Sequence, residues 1–122
     1  MWYTVAMEQN YRPVLSIRLF SGDEKCFGPG VAELLRRVQL EHSLRAAAIS
    51  MGMAYSKAWT IIKNSEAALG FKLLVSTTGG KHGGGATLSP EAERLLAAYE
   101  EYRNRLRQYA QEQFPLYFPQ LD

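Results

Sequence analysis

Residues 43 to 70 read SLRAAAISMGMAYSKAWTIIKNSEAALG, and this spacing leaves little freedom in how the chain can fold. A tight helix–turn–helix needs a small residue where its helices touch and a glycine four residues later, at the turn. It also needs small or apolar residues inside the second helix. Ala48, Gly52, Ala58 and Ile62 meet those requirements in order. Ser43 is placed to cap the earlier helix by accepting a bond from a free backbone N–H. On that helix Leu44, Ala47, Ala48 and Met51 share a face, and Gly52 ends it because a left-handed turn costs glycine almost nothing. The later helix is expected over about 54–69. Its buried face is expected to be Tyr55, Ala58, Trp59, Ile62 and Leu69, with Gly70 as its stop.

The flanks extend the pattern. Leu15, Ile17 and Leu19 alternate with Ser16 and Arg18, a period of two that suits a half-buried strand. Pro13 favours an edge position. SGDE is turn chemistry, and KCF can return as a short second strand. Pro29 and Gly30 start a helix whose apolar positions Val31, Leu34, Leu35 and Val38 form one stripe. Beyond the helix–turn–helix, FKLLVST reads as a strand, the glycines of 79–85 as a turn, and ATLS as the returning strand. A helix–turn–helix followed by strand–turn–strand is a winged helix-turn-helix pattern. The plainer alternative is a helical bundle with an incidental hairpin.

Ser89 and Pro90 can cap and open a final long helix. There Ala92, Leu95, Tyr99, Tyr102, Leu106 and Tyr109 are spaced 3, 4, 3, 4, 3, a heptad seam. A partner helix would bury that seam and produce a two-fold homodimer. The competing reading is a cover over the chain's own N-terminal strands, and both can hold for different halves of the helix. The expected organisation is therefore one domain over 1–122, of class α/β but mainly α. It comprises an N-terminal β-hairpin arm (1–28), the winged helix-turn-helix (29–89), a dimerisation helix (90–113) and an apolar, proline-broken tail (114–122). Phe114, Tyr117 and Phe118 of that tail would cover the dimer surface or dock a partner.

Net charge is only +2, but its distribution is uneven. Residues 1–30 balance at zero, residues 31–90 carry seven basic against three acidic groups, and residues 91–122 carry four against six. A basic middle between neutral and acidic ends fits a local polyanion-binding surface. No apolar run approaches the roughly 18 residues needed to span a bilayer, so no membrane partner is expected. MWYTVAMEQN lacks the basic start of a signal peptide, and Met7 is an alternative first residue. The lone Cys26 fits a reducing cytoplasm.

Enzymatic chemistry finds no support. A nucleotide loop needs G-x-x-x-x-G-K-[ST]; Val75 stands five before Gly80, and His82 follows Lys81. His42, His82 and Cys26 have no ligand spacing, so neither a metal nor a cofactor is expected. His42 reads as a helix-end residue. No serine, histidine and carboxylate set suggests a nucleophilic triad.

With Tyr55, Ala58, Trp59 and Ile62 assigned to the core, geometry gives the opposite face of the later helix to Ser56, Lys57, Thr60, Lys63 and Asn64. These residue types make phosphate and base-edge hydrogen bonds, and this helix enters the major groove in such motifs. Lys57 suits guanine and Asn64 suits adenine. In the glycine tract, positive-φ backbone allows close approach to DNA, while Lys81 and His82 supply charge. Arg45 and Thr78 complete the expected contact set. Each of these residues taken singly also reads as an ordinary solvated surface group.

The stretch from Ser43 to Thr77 is similar, without gaps, to the DNA-binding region of LysR-type regulators, including the paired alanines, Glu66 and the LG.KL ending. Ser65 stands where a leucine is usual there, a change expected to loosen local packing. TTGGKHGGGATLSPEAERLL resembles the wing of ModE-type molybdate-responsive regulators, whose tip reads TGGKGGGGA; His82 replaces a glycine of that pattern. AYSKAW is similar to that family's recognition helix, and the early strand pair to its N-terminal arm. The resemblance covers roughly residues 13 to 110. It implies a dimeric transcriptional regulator that binds double-stranded DNA. Molybdate binding is not expected, because that family's C-terminal sensor domains have no counterpart in these 122 residues. The rival expectation is a protein-interaction module that keeps the winged-helix fold without binding DNA.

Overall fold

The computed structural model describes residues 11–77 and 84–121. It divides into two compact units, one of them Ser16–Tyr99; the described residues of the other are 11–15 and 100–121. The first unit is a mainly helical winged helix-turn-helix. It contains β1 (Leu19–Ser21), β2 (Glu24–Phe27), α1 (Pro29–Glu41), α2 (Leu44–Ser50), α3 (Tyr55–Leu69), β3 (Leu74–Thr77), β4 (Gly85–Leu88) and the start of α4 (Pro90–Tyr117). Both sheets are antiparallel pairs, β1 with β2 and β3 with β4.

Local chemistry sets the helix ends. Pro29 occupies the first turn of α1, where its missing N–H costs nothing. His42 closes that helix at φ 65°, donating its N–H to the Val38 carbonyl. This turn aims the His42 carbonyl at β4, where it accepts the Ala86 N–H at 2.9 Å. His42 is thus a helix-end residue, and it also ties α1 to the wing. The Ser43 hydroxyl accepts the Ala46 N–H at 2.9 Å and starts α2. Gly52 (φ 68°) and Gly70 (φ 86°) make the two left-handed turns that the helix–turn–helix and the exit from α3 require.

The core forms where the helix stripes meet. Val31, Leu34, Leu35 and Val38 of α1, Ala47 and Ala48 of α2, and Ala58 and Ile62 of α3 are all buried. Alanines at the α2–α3 contact let the backbones approach closely enough for a short turn to join them. The Arg37 guanidinium pairs with Glu33 at 2.7 Å and donates to the Ser50 carbonyl at 2.7 Å, holding the end of α2 against α1. Phe27 of β2 meets Tyr99 of α4 edge to face at 5.1 Å, and the Tyr99 hydroxyl donates to the Ile17 carbonyl at 2.7 Å. The Ser89 hydroxyl caps α4 through the Ala92 N–H and donates to the Lys72 carbonyl at 2.6 Å.

Three expectations need correcting. The alternation from Leu15 to Leu19 survives as half-buried odd positions, but hydrogen-bonded strand begins only at Leu19. The pairing of β1 and β2 is also irregular between Leu19 and Phe20. Tyr55 and Trp59 are not part of the buried face of α3: they are 38% and 48% exposed. The long helix does not stop near residue 113 but runs through Pro115 to Tyr117. Pro115 removes the N–H that would have reached Gln111. The Phe114 and Phe118 rings, one turn apart with centroids 5.1 Å apart, bridge the gap, and Phe118 N–H bonds the Phe114 carbonyl.

Ser65 does not loosen its surroundings. It is 3% exposed, and its hydroxyl donates to the Cys26 carbonyl of β2, pinning α3 to the hairpin. A leucine there has no donor for that carbonyl. Ser65→Ala should lower stability by about 1–2 kcal/mol, read as a shifted urea midpoint with unchanged slope.

Candidate nucleic-acid interface

The exposed surface of α3 is wider than periodicity suggested, because only Ala58, Ile62 and Ser65 are fully buried. Ser56, Lys57, Thr60 and Asn64 are exposed, and Lys63 is half-buried. Among the described residues, no carboxylate pairs with Lys57. The Thr60 hydroxyl donates to the Ser56 carbonyl at 2.9 Å, a local bond that leaves its lone pairs free to accept. Asn64 stands on the hairpin-facing shoulder of α3, lining a shallow cleft with Ser21 and Lys25. Lys63 stands on the opposite shoulder, toward the wing.

The wing shoulder contains what periodicity missed. The Lys63 ammonium pairs with Glu66 at 3.3 Å and lies 5.5 Å from the centre of the Trp59 ring. The second carboxylate oxygen of Glu66 accepts the Leu73 N–H at 2.7 Å and faces the Leu74 N–H at 3.5 Å. The same side chain therefore binds α3 to the first wing strand. The Arg45 guanidinium lies 4.2 Å above the Tyr55 ring, linking α2 to the start of α3. Arg45, Trp59, Lys63, Lys72 and Ser76 line a cleft of about 290 Å³ between α2, α3 and the wing base.

Of the residues expected to contact DNA, the structure gathers Ser56, Lys57, Thr60, Lys63 and Asn64 on α3 and puts Arg45 beside them across the turn. Thr78, Lys81 and His82 lie outside the described residues. Tyr55, Trp59, Glu66 and Lys72 were missed. Aromatic residues in an apolar stripe read as core by default; the signal against that lay in the cations Arg45 and Lys63, which need partners nearby. Gly84 (φ 68°) and Gly85 end the described part of the wing next to this cleft. A Cβ on Gly85 would meet the Thr77 hydroxyl across the ladder, so any larger residue there needs that side chain to turn away.

The seam on α4 divides. Ala92 and Tyr99 are buried in the core of the first unit, joined by Leu96 from outside the seam, and Leu95 packs against that core. In the other unit Leu106 is half-buried, while Tyr102 and Tyr109 are 53% and 62% exposed.

Residues 32–93, just over half of the chain, match the model for bacterial regulatory helix-turn-helix proteins of the lysR family. The chain belongs to that family. That family consists of bacterial regulatory proteins, and the match lies on the helix–turn–helix and the wing. The chain is also 38% identical over 66 residues to the molybdenum-pterin-binding protein MopB of Rhodobacter capsulatus, covering 54% of this chain and 24% of that one. The molybdenum transport protein ModE of Herbaspirillum seropedicae is 35% identical over 72 residues, 59% of this chain and 27% of its own. The DNA-binding transcriptional dual regulator ModE of Escherichia coli K12 is 33% identical over 72 residues, 59% of this chain and 28% of its own. The chain thus spans about a quarter of the length of the curated relatives it matches. The helix–turn–helix is ModE-like. Among the described residues no group of histidine, cysteine and carboxylates is arranged to hold a metal, and no helix is long and apolar enough to cross a membrane.

Removing the Glu66 carboxylate breaks three contacts at once. Glu66→Ala should cost about 1.5–3 kcal/mol, the range for hydrogen bonds to a charged group, measured by urea denaturation. Lys63→Ala should cost much less, because that side chain is 40% exposed.

Proposed function

We propose that the chain is a sequence-specific regulator that binds DNA as a homodimer, with α3 in the major groove and the wing on the backbone or minor groove. The observation that carries this reading is the polar, exposed face of α3 (Ser56, Lys57, Thr60 and Asn64), mounted on a buried back of Ala58, Ile62 and Ser65. Lys57 and Asn64 have the chemistry for guanine and adenine edges. Ser56, Thr60, Lys63 and Arg45 suit phosphate, as do Thr78, Lys81 and His82 of the wing tip.

Two-fold pairing rests on the second half of α4. Tyr102, Leu106 and Tyr109 continue a heptad spacing past the point where the chain's own core ends, and large exposed tyrosines in that pattern suit a partner helix. A dimer would set two copies of α3 about 34 Å apart, one turn of DNA. Exposed Leu116, Tyr117 and Phe118 favour a second reading, a winged-helix module that binds protein instead of DNA. A gel-shift assay on random duplex at low salt separates the two, because an interaction module retains no DNA there.

Lys57→Ala should relax base preference at particular positions of a selected binding site, at about 1–3 kcal/mol per affected base pair. Site selection from random DNA with both proteins checks this, and identical preferences would remove Lys57 from the readout. Tyr102→Glu combined with Tyr109→Glu should halve the sedimentation mass. An unchanged mass would place the dimer contact elsewhere or nowhere.

A further inference from the structure

We propose that the cleft between α2, α3 and the wing base holds one phosphate of a DNA strand, with Arg45, Lys63 and Lys72 around it and the Trp59 ring against the adjoining sugar. The proposal rests on the DNA-binding reading above and goes beyond it in naming one composite phosphate site and two residues, Lys72 and Trp59, that the recognition-helix face does not include.

Three elements converge on this cleft. Arg45 comes from α2, Lys63 from α3, and Lys72 from the segment leading into β3. Among the described residues the only carboxylate lining it is Glu66, whose oxygens are committed to Lys63 and to the Leu73 and Leu74 N–H groups. Three cations against one carboxylate leave a formal charge of +2 in a space of about 290 Å³. Among the described residues neither Arg45 nor Lys72 has an ion-pair partner. Cations brought together from three elements repel one another, and an anion between them removes that cost.

The aromatic residues narrow the chemistry. Arg45 already covers Tyr55 and Lys63 already stands over Trp59, so the cleft has no free parallel pair of rings to sandwich a planar ligand. What remains is an indole about half exposed, at the edge of a cationic hollow. An anion attached to an apolar ring, as in a phosphate–deoxyribose unit, matches that juxtaposition. Trp59 and Lys63 also lie one helical row from Ser56 and Thr60, so the cleft continues the face that the major groove would meet. The hydroxyl of Ser76 and the backbone of Gly84 and Gly85 line the wing side, where none of the described residues puts a bulky side chain in the way of a strand.

The test is the salt dependence of binding to a random-sequence duplex, for the parent chain and the Arg45→Ala/Lys72→Ala variant. Both positions are exposed, so the variant should fold, and circular dichroism checks that it does. Each neutralised phosphate contributes about 0.9 to the slope of log K against log salt. If both cations serve one phosphate, the double variant should lose about one unit of slope in total and weaken binding equally on selected and random sequences. A slope unchanged from the parent, or lowered by about two, overturns the single-phosphate site. In a Trp2→Phe background the Trp59 emission should shift on duplex addition, and an unmoved spectrum overturns the sugar contact. The two possible failures differ: a parent chain that binds no duplex at low salt removes the DNA-binding reading and this site with it, whereas duplex binding with an unaltered slope removes the cleft alone.

Discussion

The carboxylate of Glu66 connects the two parts of this domain that must stay in register. It lies in the last third of α3, accepts the N–H groups that open the first wing strand, and pairs with Lys63 one turn earlier. At 10% side-chain exposure it is shielded enough for these contacts to matter. Without it, α3 and the wing would be joined only by the short segment after Gly70 and by the apolar core that Ile62 shares with Leu73, Ala86 and Leu88. The cleft at their junction, and the relative placement of Lys63 and Lys72, depend on that bond set. The Ser89 hydroxyl does comparable work from the other side, joining the Lys72 carbonyl to the start of α4.

Close packing makes such small ties sufficient. Alanines at 47, 48 and 58 remove side-chain bulk between α2 and α3, and the two helices meet through an αL glycine instead of a long loop. His42 achieves a similar economy at the end of α1, where a left-handed turn lets its carbonyl extend the wing ladder. Ser65 shows the same logic with a polar group: the hydroxyl replaces apolar packing by a directed bond to β2.

Much of this was legible in residue order. The caps at Ser43 and Ser89, the stops at Gly52 and Gly70, and the stripe on α1 all follow from local rules and appear as expected. The site was legible in part. Ser56, Lys57, Thr60 and Asn64 are exposed as the helical period required, but Tyr55 and Trp59 were assigned to the wrong side. Both lie at the edge of the apolar arc, where a shift of one neighbouring element decides between core and surface. Lys72 carries no periodic signal at all, since it sits in a short connection whose direction is set by Glu66 and Ser89.

The order of residues by itself determined the element types, the turn positions and the azimuth of each side chain on its helix, because backbone geometry and hydrogen bonding act over three or four residues. Tertiary structure alone decided which azimuths were covered. It exposed Trp59, set the Leu73 N–H against Glu66, and assigned Ala92 and Tyr99 of the long seam to the chain's own core while leaving Tyr102 and Tyr109 open. Burial depends on what arrives from elsewhere in the chain, and a repeat of 3 and 4 reads the same whether the covering surface belongs to the same molecule or to another.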